Sequence, residues 1–159
     1  MIHPLFDRQA LEEALSPHRS AHRRIVFTNG CFDLIHPGHV RLLCAARELG
    51  DLLVLGLNSD SSVRRLKGAG RPILSLEERV DVLGAMRDVD VIAAFDDDTP
   101  LELVRSVRPA VLVKGGDWSP DRVVGREEVE ASGGRVQIVP LAGGLSTTDL
   151  LRRIRGESP

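Results

Sequence analysis

Tyrosine is absent from this 159-residue chain, and with one tryptophan and four phenylalanines the aromatics make up only 3%. That scarcity excludes an aromatic platform on which single-stranded bases stack. Cysteine is almost as rare. Cys31 and Cys44 are too far apart for a C-x-x-C pair, which excludes a disulfide framework and a zinc knuckle and fits a reduced chain. Neither charge sign dominates: 21 Lys and Arg stand against 23 Asp and Glu, a formal net charge of -2. A uniformly basic, nucleic-acid-coating surface is thereby excluded. No apolar run approaches the roughly 18–20 residues of a membrane helix. The longest, Leu52 to Leu57, is closed off by Asp51 and Asn58. Asp7, Glu12 and Glu13 interrupt any signal-peptide core. We expect a cytoplasmic protein with no membrane and no nucleic acid among its partners.

What is present is ordinary globular material, 42% hydrophobic and 28% charged, in a length that suits one domain. Short apolar runs alternate with helical periodicity. Ile25 to Phe27, Leu52 to Leu57, Val89 to Phe95, Ala110 to Val113 and Val136 to Leu141 read as strands. The second is almost wholly apolar, as in a parallel sheet covered on both faces. Helical spacing follows from Gly38 to about Leu49. Ser75-x-x-Glu78 and Thr99-Pro100-Leu101-Glu102 read as capping boxes. Ser119-Pro120 opens a helix that runs out at Ser132-Gly133-Gly134, and Ser146-Thr147-Thr148-Asp149 starts the last one. Residues 1–24 read as an N-terminal helix and connector, and 25–159 as one domain. The pattern predicts an α/β, Rossmann-like, doubly wound sheet of five parallel strands.

In such a sheet a ligand sits beyond the carboxyl ends of the strands. The loop after the first strand runs Thr28-Asn29-Gly30-Cys31-Phe32-Asp33-Leu34-Ile35-His36-Pro37-Gly38-His39. It is neither a P-loop nor G-x-G-x-x-G. It sets two imidazoles on one side of a first helical turn, with Gly38 between them to let a ligand approach, where N–H groups and the helix dipole favour phosphate. A helix cap and a metal pair are the competing readings. H-x-x-H lacks the i,i+4 spacing and the Glu of H-E-x-x-H, and no resident metal is expected. Lys67 and Lys114 are the only lysines, each followed by glycine, and Lys114 ends a buried-looking strand. Either can be a ligand-facing ammonium or a chance surface placement. Arg64, Arg65, Lys67 and Arg71 form a basic stretch that otherwise reads as a solvated face. Gly143-Gly144-Leu145-Ser146-Thr147-Thr148 carries more small and hydroxyl residues than a plain cap needs. Trp118, beside Asp117 and Gly115-Gly116, is either a core-covering aromatic or a sugar-facing wall. Cys31 and Cys44 read as small packing residues.

His36-Pro37-Gly38-His39, preceded by Gly30-Cys31-Phe32-Asp33, resembles the H-x-G-H signature of the nucleotidyltransferase superfamily. With Asn58-Ser59-Asp60, Leu66-Lys67-Gly68, Arg71-Pro72, Lys114-Gly115-Gly116-Asp117 and Leu145-Ser146-Thr147-Thr148, the chain most resembles the heptose 1-phosphate adenylyltransferases of bacterial ADP-heptose synthesis. The resemblance implies transfer of an adenylyl group from ATP to heptose 1-phosphate, giving ADP-heptose and pyrophosphate. It also implies magnesium on the triphosphate and a homodimer. His36, His39 and Lys67 would then be catalytic. Thr28, Asn29, Gly30, Phe32, Gly38, Asn58, Asp60, Arg79, Ser146, Thr147 and Thr148 would bind the nucleotide, although Arg79 by itself reads equally as one more charge on a solvated helix. Asp33, Lys114, Gly115, Gly116, Asp117 and Trp118 would face the acceptor. A cytidylyltransferase acting on glycerol 3-phosphate or another polyol phosphate is the runner-up. Against it, Leu141-Ala142-Gly143-Gly144 stands where those relatives carry Arg-Thr-x-Gly. A flavin-forming adenylyltransferase is a third reading, and a catalytically silent nucleotide-binding regulator is the alternative of another class.

Overall fold

The computed structural model describes residues 5–6, 8–116, 118–140 and 146–156. A two-residue strand, β1 (Leu5–Phe6), precedes helix α1 (Arg8–Ser20). The apolar runs then form β2 (Ile25–Gly30), β3 (Leu52–Asn58), β4 (Val91–Phe95), β5 (Val111–Gly115) and β6 (Arg135–Val139). All neighbours are parallel, in the order β1-β4-β3-β2-β5-β6. The five expected strands are therefore joined by a sixth at the edge, with Leu5 opposite Ile92 and Phe6 opposite Ala93. Two residues are too few to show a period, so β1 is visible only through its register.

The intervening helices are α2 (Pro37–Arg47), α3 (Asp60–Lys67), α4 (Leu76–Gly84), α5 (Leu101–Val107), α6 (Arg126–Ala131) and α7 (Thr147–Ile154). The capping box expected at Ser75 is formed, and the helix start expected at Ser146 is closed by a capping box as well. The one expected at Thr99 is not. Pro100 is the N-cap of α5 without a side-chain bond, and Glu102 pairs with Arg105 one turn on. The helix expected from Ser119 is broken. A 3₁₀ turn (Pro120–Arg122) is separated from α6 by Gly125, whose φ of 91° a β-carbon would disfavour. Of the basic stretch after β3, Arg64, Arg65 and Lys67 lie in helix α3 and Arg71 in the loop beyond it.

Side-chain alternation along the strands divides the core between the two faces of the sheet. Phe27, Val54, Ala93 and Leu112 face Leu11 and Leu15 of α1, Leu103, Val104 and Val107 of α5, and Val129 of α6. Val26, Leu53, Leu55, Ile92 and Val111 face Leu42, Leu43 and Ala46 of α2 and Val80 and Leu83 of α4. Gly56 keeps β3 close to its neighbour, since a β-carbon there would lie 2.7 Å from Phe27 Cζ. No helix among the described residues is long and apolar enough to cross a membrane. The strand order runs one way from β2 through β3 to β4 and the other way through β5 to β6. The crevice at that reversal, beyond Gly30 and Gly115, is where a doubly wound sheet receives its ligand.

Candidate functional site

The loop from β2 to α2 is wound tightly. Phe32 and Leu34 take φ of 46° and 50°, a left-handed backbone that costs non-glycine residues of order 1–3 kcal/mol each. Burial of Phe32 and Asp33, 4% and 1% exposed, holds that conformation. His36 is the N-cap of α2, and its Nδ1 accepts the N–H of Gly38 at 3.1 Å, with Pro37 supplying the pre-set first helical residue. The helix cap is therefore realised, by an imidazole. With Nδ1 accepting, the neutral ring of His36 carries its proton on Nε2. His39 lies against it, ring centroids 3.8 Å apart, with Phe32 at 4.9 Å on another side. Burial, reinforced by the neighbouring His36, pulls the pKa of His39 down to about 4. Burial lowers His36 as well, against the pull of Asp149. At neutral pH the pair is uncharged and able to donate. His39 Nδ1 is buried without a hydrogen-bond partner among the described residues. No group of three or more His, Cys, Asp or Glu suited to a metal ion occurs among them either.

Asp33 is expected to face an acceptor, but its carboxylate is enclosed. It accepts Arg71 Nε–H at 2.7 Å, the Ile73 N–H at 2.8 Å and the Leu74 N–H at 3.1 Å. Burial alone would raise this carboxyl. The Ile73 and Leu74 N–H groups and the Arg71 guanidinium outweigh it and hold the group below the usual carboxylate range. Asp33 thus anchors residues 71–74 instead of meeting a ligand. Its carbonyl accepts the Thr147 hydroxyl at 2.9 Å, docking the N-terminus of α7 beside that of α2. Ser146 caps α7 reciprocally with Asp149, and Ser146 and Thr148 are exposed there. Gly143, Gly144 and Leu145 lie outside the described residues.

At the end of β3 the side chains are largely committed to one another. Asn58 donates to Ser62 Oγ at 3.0 Å, and Asp60 in the first turn of α3 receives Arg79 Nη2 at 2.7 Å. Arg79 is 0% exposed, so the solvated-face reading fails. Its remaining bonds go to the carbonyls of Cys31, Asn58 and Leu74, at 2.7, 2.8 and 3.2 Å. It is a strut joining three loops, where a nucleotide contact was expected. The signal was present, because Arg79 shares a helical face with Leu76 and Leu83. Thr28, also expected to touch the nucleotide, is 0% exposed and spends its hydroxyl on the Val113 carbonyl at 3.0 Å.

Lys114 reaches from β5 to Asn29 Oδ1 at 2.5 Å, and burial lowers its pKa to about 8. Trp118 is 51% exposed and is no core cover; its ring centroid lies 6.0 Å from Lys114 Nζ. Gly116 turns at φ 96° just beyond Gly115, with open space where a β-carbon would be. Asp117 lies outside the described residues. Gly30 packs beneath the Phe32 ring, and Gly38 is buried in the first turn of α2. Lys67 is exposed at the end of α3, at a distance where its charge still acts on the Cys31 thiol, which burial pushes up. Two helix N-termini, two neutral imidazole donors and a buried ammonium that is still mostly protonated at neutral pH therefore converge on one crevice. That assembly stabilises a polyanion and offers few acceptors to a cation. Sequence reading missed Asp149, which acts on His36, and the Asp33–Arg71 pair; residues 38 apart in sequence leave no local pattern.

A family model described as cytidylyltransferase-like matches residues 27–150. The bifunctional protein HldE of Syntrophotalea carbinolica is 54% identical over 147 residues, which cover 92% of this chain and 30% of that protein. HldE of Geobacter sulfurreducens is 55% identical over 140 residues, 88% of this chain and 29% of its own length. The chain thus spans about 30% of the curated relatives it matches. Among solved structures, a lipopolysaccharide core biosynthesis protein from Thermoplasma volcanium superposes with a TM-score of 0.62 at 26% identity, covering 77% of this chain and 99% of that one. A pantoate-beta-alanine ligase from Francisella tularensis also reaches 0.62, over 98% of this chain and 77% of its own, but at 13% identity that likeness concerns the fold alone.

Proposed function

This chain belongs to the cytidylyltransferase-like family of nucleotidyltransferases, and from that premise we propose that it transfers the adenylyl group of ATP to heptose 1-phosphate, releasing pyrophosphate. The observation that carries the proposal is the extent of the likeness. Relatives named HldE match at 54–55% identity across about nine-tenths of the chain. A solved relative in lipopolysaccharide core biosynthesis supports a sugar acceptor.

In this reading the sugar phosphate oxygen attacks the α-phosphorus in line, and the bond from that phosphorus to the bridging oxygen of pyrophosphate breaks. The chain contributes positioning and charge stabilisation. His36, through its Nε2–H, and His39 donate to the α-phosphate and bridging oxygens as charge builds there. The N-terminus of α7 and the dipole of α2 attract the phosphates, Lys67 attends the outgoing end, and Lys114 with Trp118 lines the acceptor side. Arg79 and Asp33 act through the backbone they hold. Magnesium would supply charge neutralisation on the triphosphate, held mainly by phosphate and water oxygens, which suits a crevice in which Asp33 and Asp60 are already engaged. The same proposal makes the protein a cytoplasmic homodimer that takes small molecules and no nucleic acid.

Pyrophosphate release measured with heptose 1-phosphate and each of the four nucleoside triphosphates tests it. ATP with magnesium is expected to be used far better than CTP. Comparable kcat/KM for the two would replace the adenylyl assignment with cytidylyl transfer, and ATP binding without turnover would favour a silent regulator.

A further inference from the structure

Two cations of the basic stretch lie near enough to the histidine loop to act on the Cys31 thiol, Lys67 and Arg71, and the fold treats them differently. Lys67 is exposed and makes no ion pair among the described residues. The Arg71 side chain is only 15% exposed, and its Nε–H is fixed on the Asp33 carboxylate, itself 0% exposed. Enclosing a carboxylate is costly unless its oxygens are bonded. Here both are, by Arg71 and by the N–H groups of Ile73 and Leu74, so the guanidinium plane is set by the backbone around it. Its two Nη groups take no partner among the described residues. A guanidinium held at Nε presents those Nη donors as a fork matched to phosphate, which a lysine in the same place could not do. Asp33 also holds the start of α7, since its carbonyl accepts the Thr147 hydroxyl. One residue therefore sets the position of both the fork and the helix end.

We propose that Arg71, aimed by Asp33, is the side chain that receives a phosphate group in this crevice, with Asp33 as its positioning residue. The proposal rests on the nucleotidyl-transfer reading above. Two phosphate groups have the right chemistry: the tail of the triphosphate, which leaves as pyrophosphate, and the monoester of the sugar acceptor. Calorimetric titrations of pyrophosphate and of heptose 1-phosphate into wild type, Arg71→Ala, Arg71→Lys and Asp33→Asn distinguish them.

Arg71→Ala is expected to weaken one of the two ligands roughly 10–100-fold, the value of a charge-assisted hydrogen bond. Arg71→Lys recovers little of it, and added ethylguanidinium restores part of the turnover lost in Arg71→Ala, which a purely structural role would not allow. Asp33→Asn weakens the same ligand with Arg71 still present. A loss confined to pyrophosphate assigns the triphosphate, and one confined to heptose 1-phosphate assigns the acceptor. Unchanged affinity for both in a folded Arg71→Ala protein overturns the proposal. If Asp33→Asn does not fold, the Arg71 variants decide alone. Wild-type protein that binds pyrophosphate through Arg71 yet never turns over would remove the transfer reading and leave the phosphate site standing.

Discussion

The two helix ends that meet at the crevice are built differently. The α2 end is embedded: Gly38, Leu42, Leu43 and Ala46 are buried, and its cap is an imidazole fixed to the Gly38 N–H. The α7 end is docked: no described residue of α7 is buried, its Ser146–Asp149 capping box is exposed, and one hydroxyl bond from Thr147 to the Asp33 carbonyl ties it down. Pro37 has no N–H, and those of Gly38 and His39 are taken by His36. The α2 end therefore offers an anion its dipole and its imidazole donors, whereas the α7 end offers first-turn backbone N–H groups. The embedded end can hold donors still while charge develops, which is where preorganisation matters. The docked end contributes binding but can adjust to what arrives. Chemistry should therefore depend on α2 and affinity on α7.

The largest effect should come from undermining the embedded end. Arg79 ties the loop before α2, through the Cys31 carbonyl, to the end of β3 and to Asp60. Arg79→Met leaves buried carbonyls and Asp60 without their partner and should cost about 3–5 kcal/mol of stability, read as a lower midpoint in urea. A midpoint within error of wild type would mean the α2 end stands without its strut.

Next is His39→Ala, which should lower kcat on the order of 10²–10³-fold while ATP affinity and Tm change little. A destabilised but fully active variant would make His39 a packing residue. The same substitution has a pH signature. His39 has a pKa of about 4 in the folded chain against the ordinary 6.5, so the unfolded chain takes up its proton first. That contribution to stability is complete above pH 6.5 and is lost as the pH falls through 4. Thermal melts from pH 7 to 4 should show a shallower acid decline in His39→Ala than in wild type.

The smallest effect belongs to the docked end. Thr147→Val removes one hydrogen bond worth about 1 kcal/mol, so KM for a phosphate substrate should rise roughly fivefold with kcat nearly unchanged. A fall in kcat as large as that of His39→Ala would show that the two ends are equally rigid.

How much of this was legible in the sequence depends on how local each feature is. The uninterrupted run at β3, the His36-Pro37-Gly38-His39 turn, the capping box at Ser75 and the helix start at Ser146 are contained within a few residues, and each appears where the pattern puts it. Thr99-x-x-Glu102 has a similar local pattern and fails, because Pro100 takes the cap and Arg105 takes Glu102. The clasp of Asp33 on Arg71 and the bond of Thr147 to Asp33 span 38 and 114 residues, and only the completed sheet brings them together. Arg79 lay between: its place on the apolar face of α4 is periodic, but the carbonyls that receive it come from elsewhere.

The imidazole cap of α2 also limits what can react. Its Nδ1 lone pair is taken by the Gly38 N–H, and the neighbouring ring is held near a pKa of about 4. Neither histidine can serve as a proton acceptor at neutral pH without opening the helix or working far from its own titration range. An alcohol entering the crevice would have to shed its proton with no help from the imidazoles, whereas a phosphate monoester arrives already ionised. The bond that starts a helix thereby selects nucleophiles that bring their own negative charge.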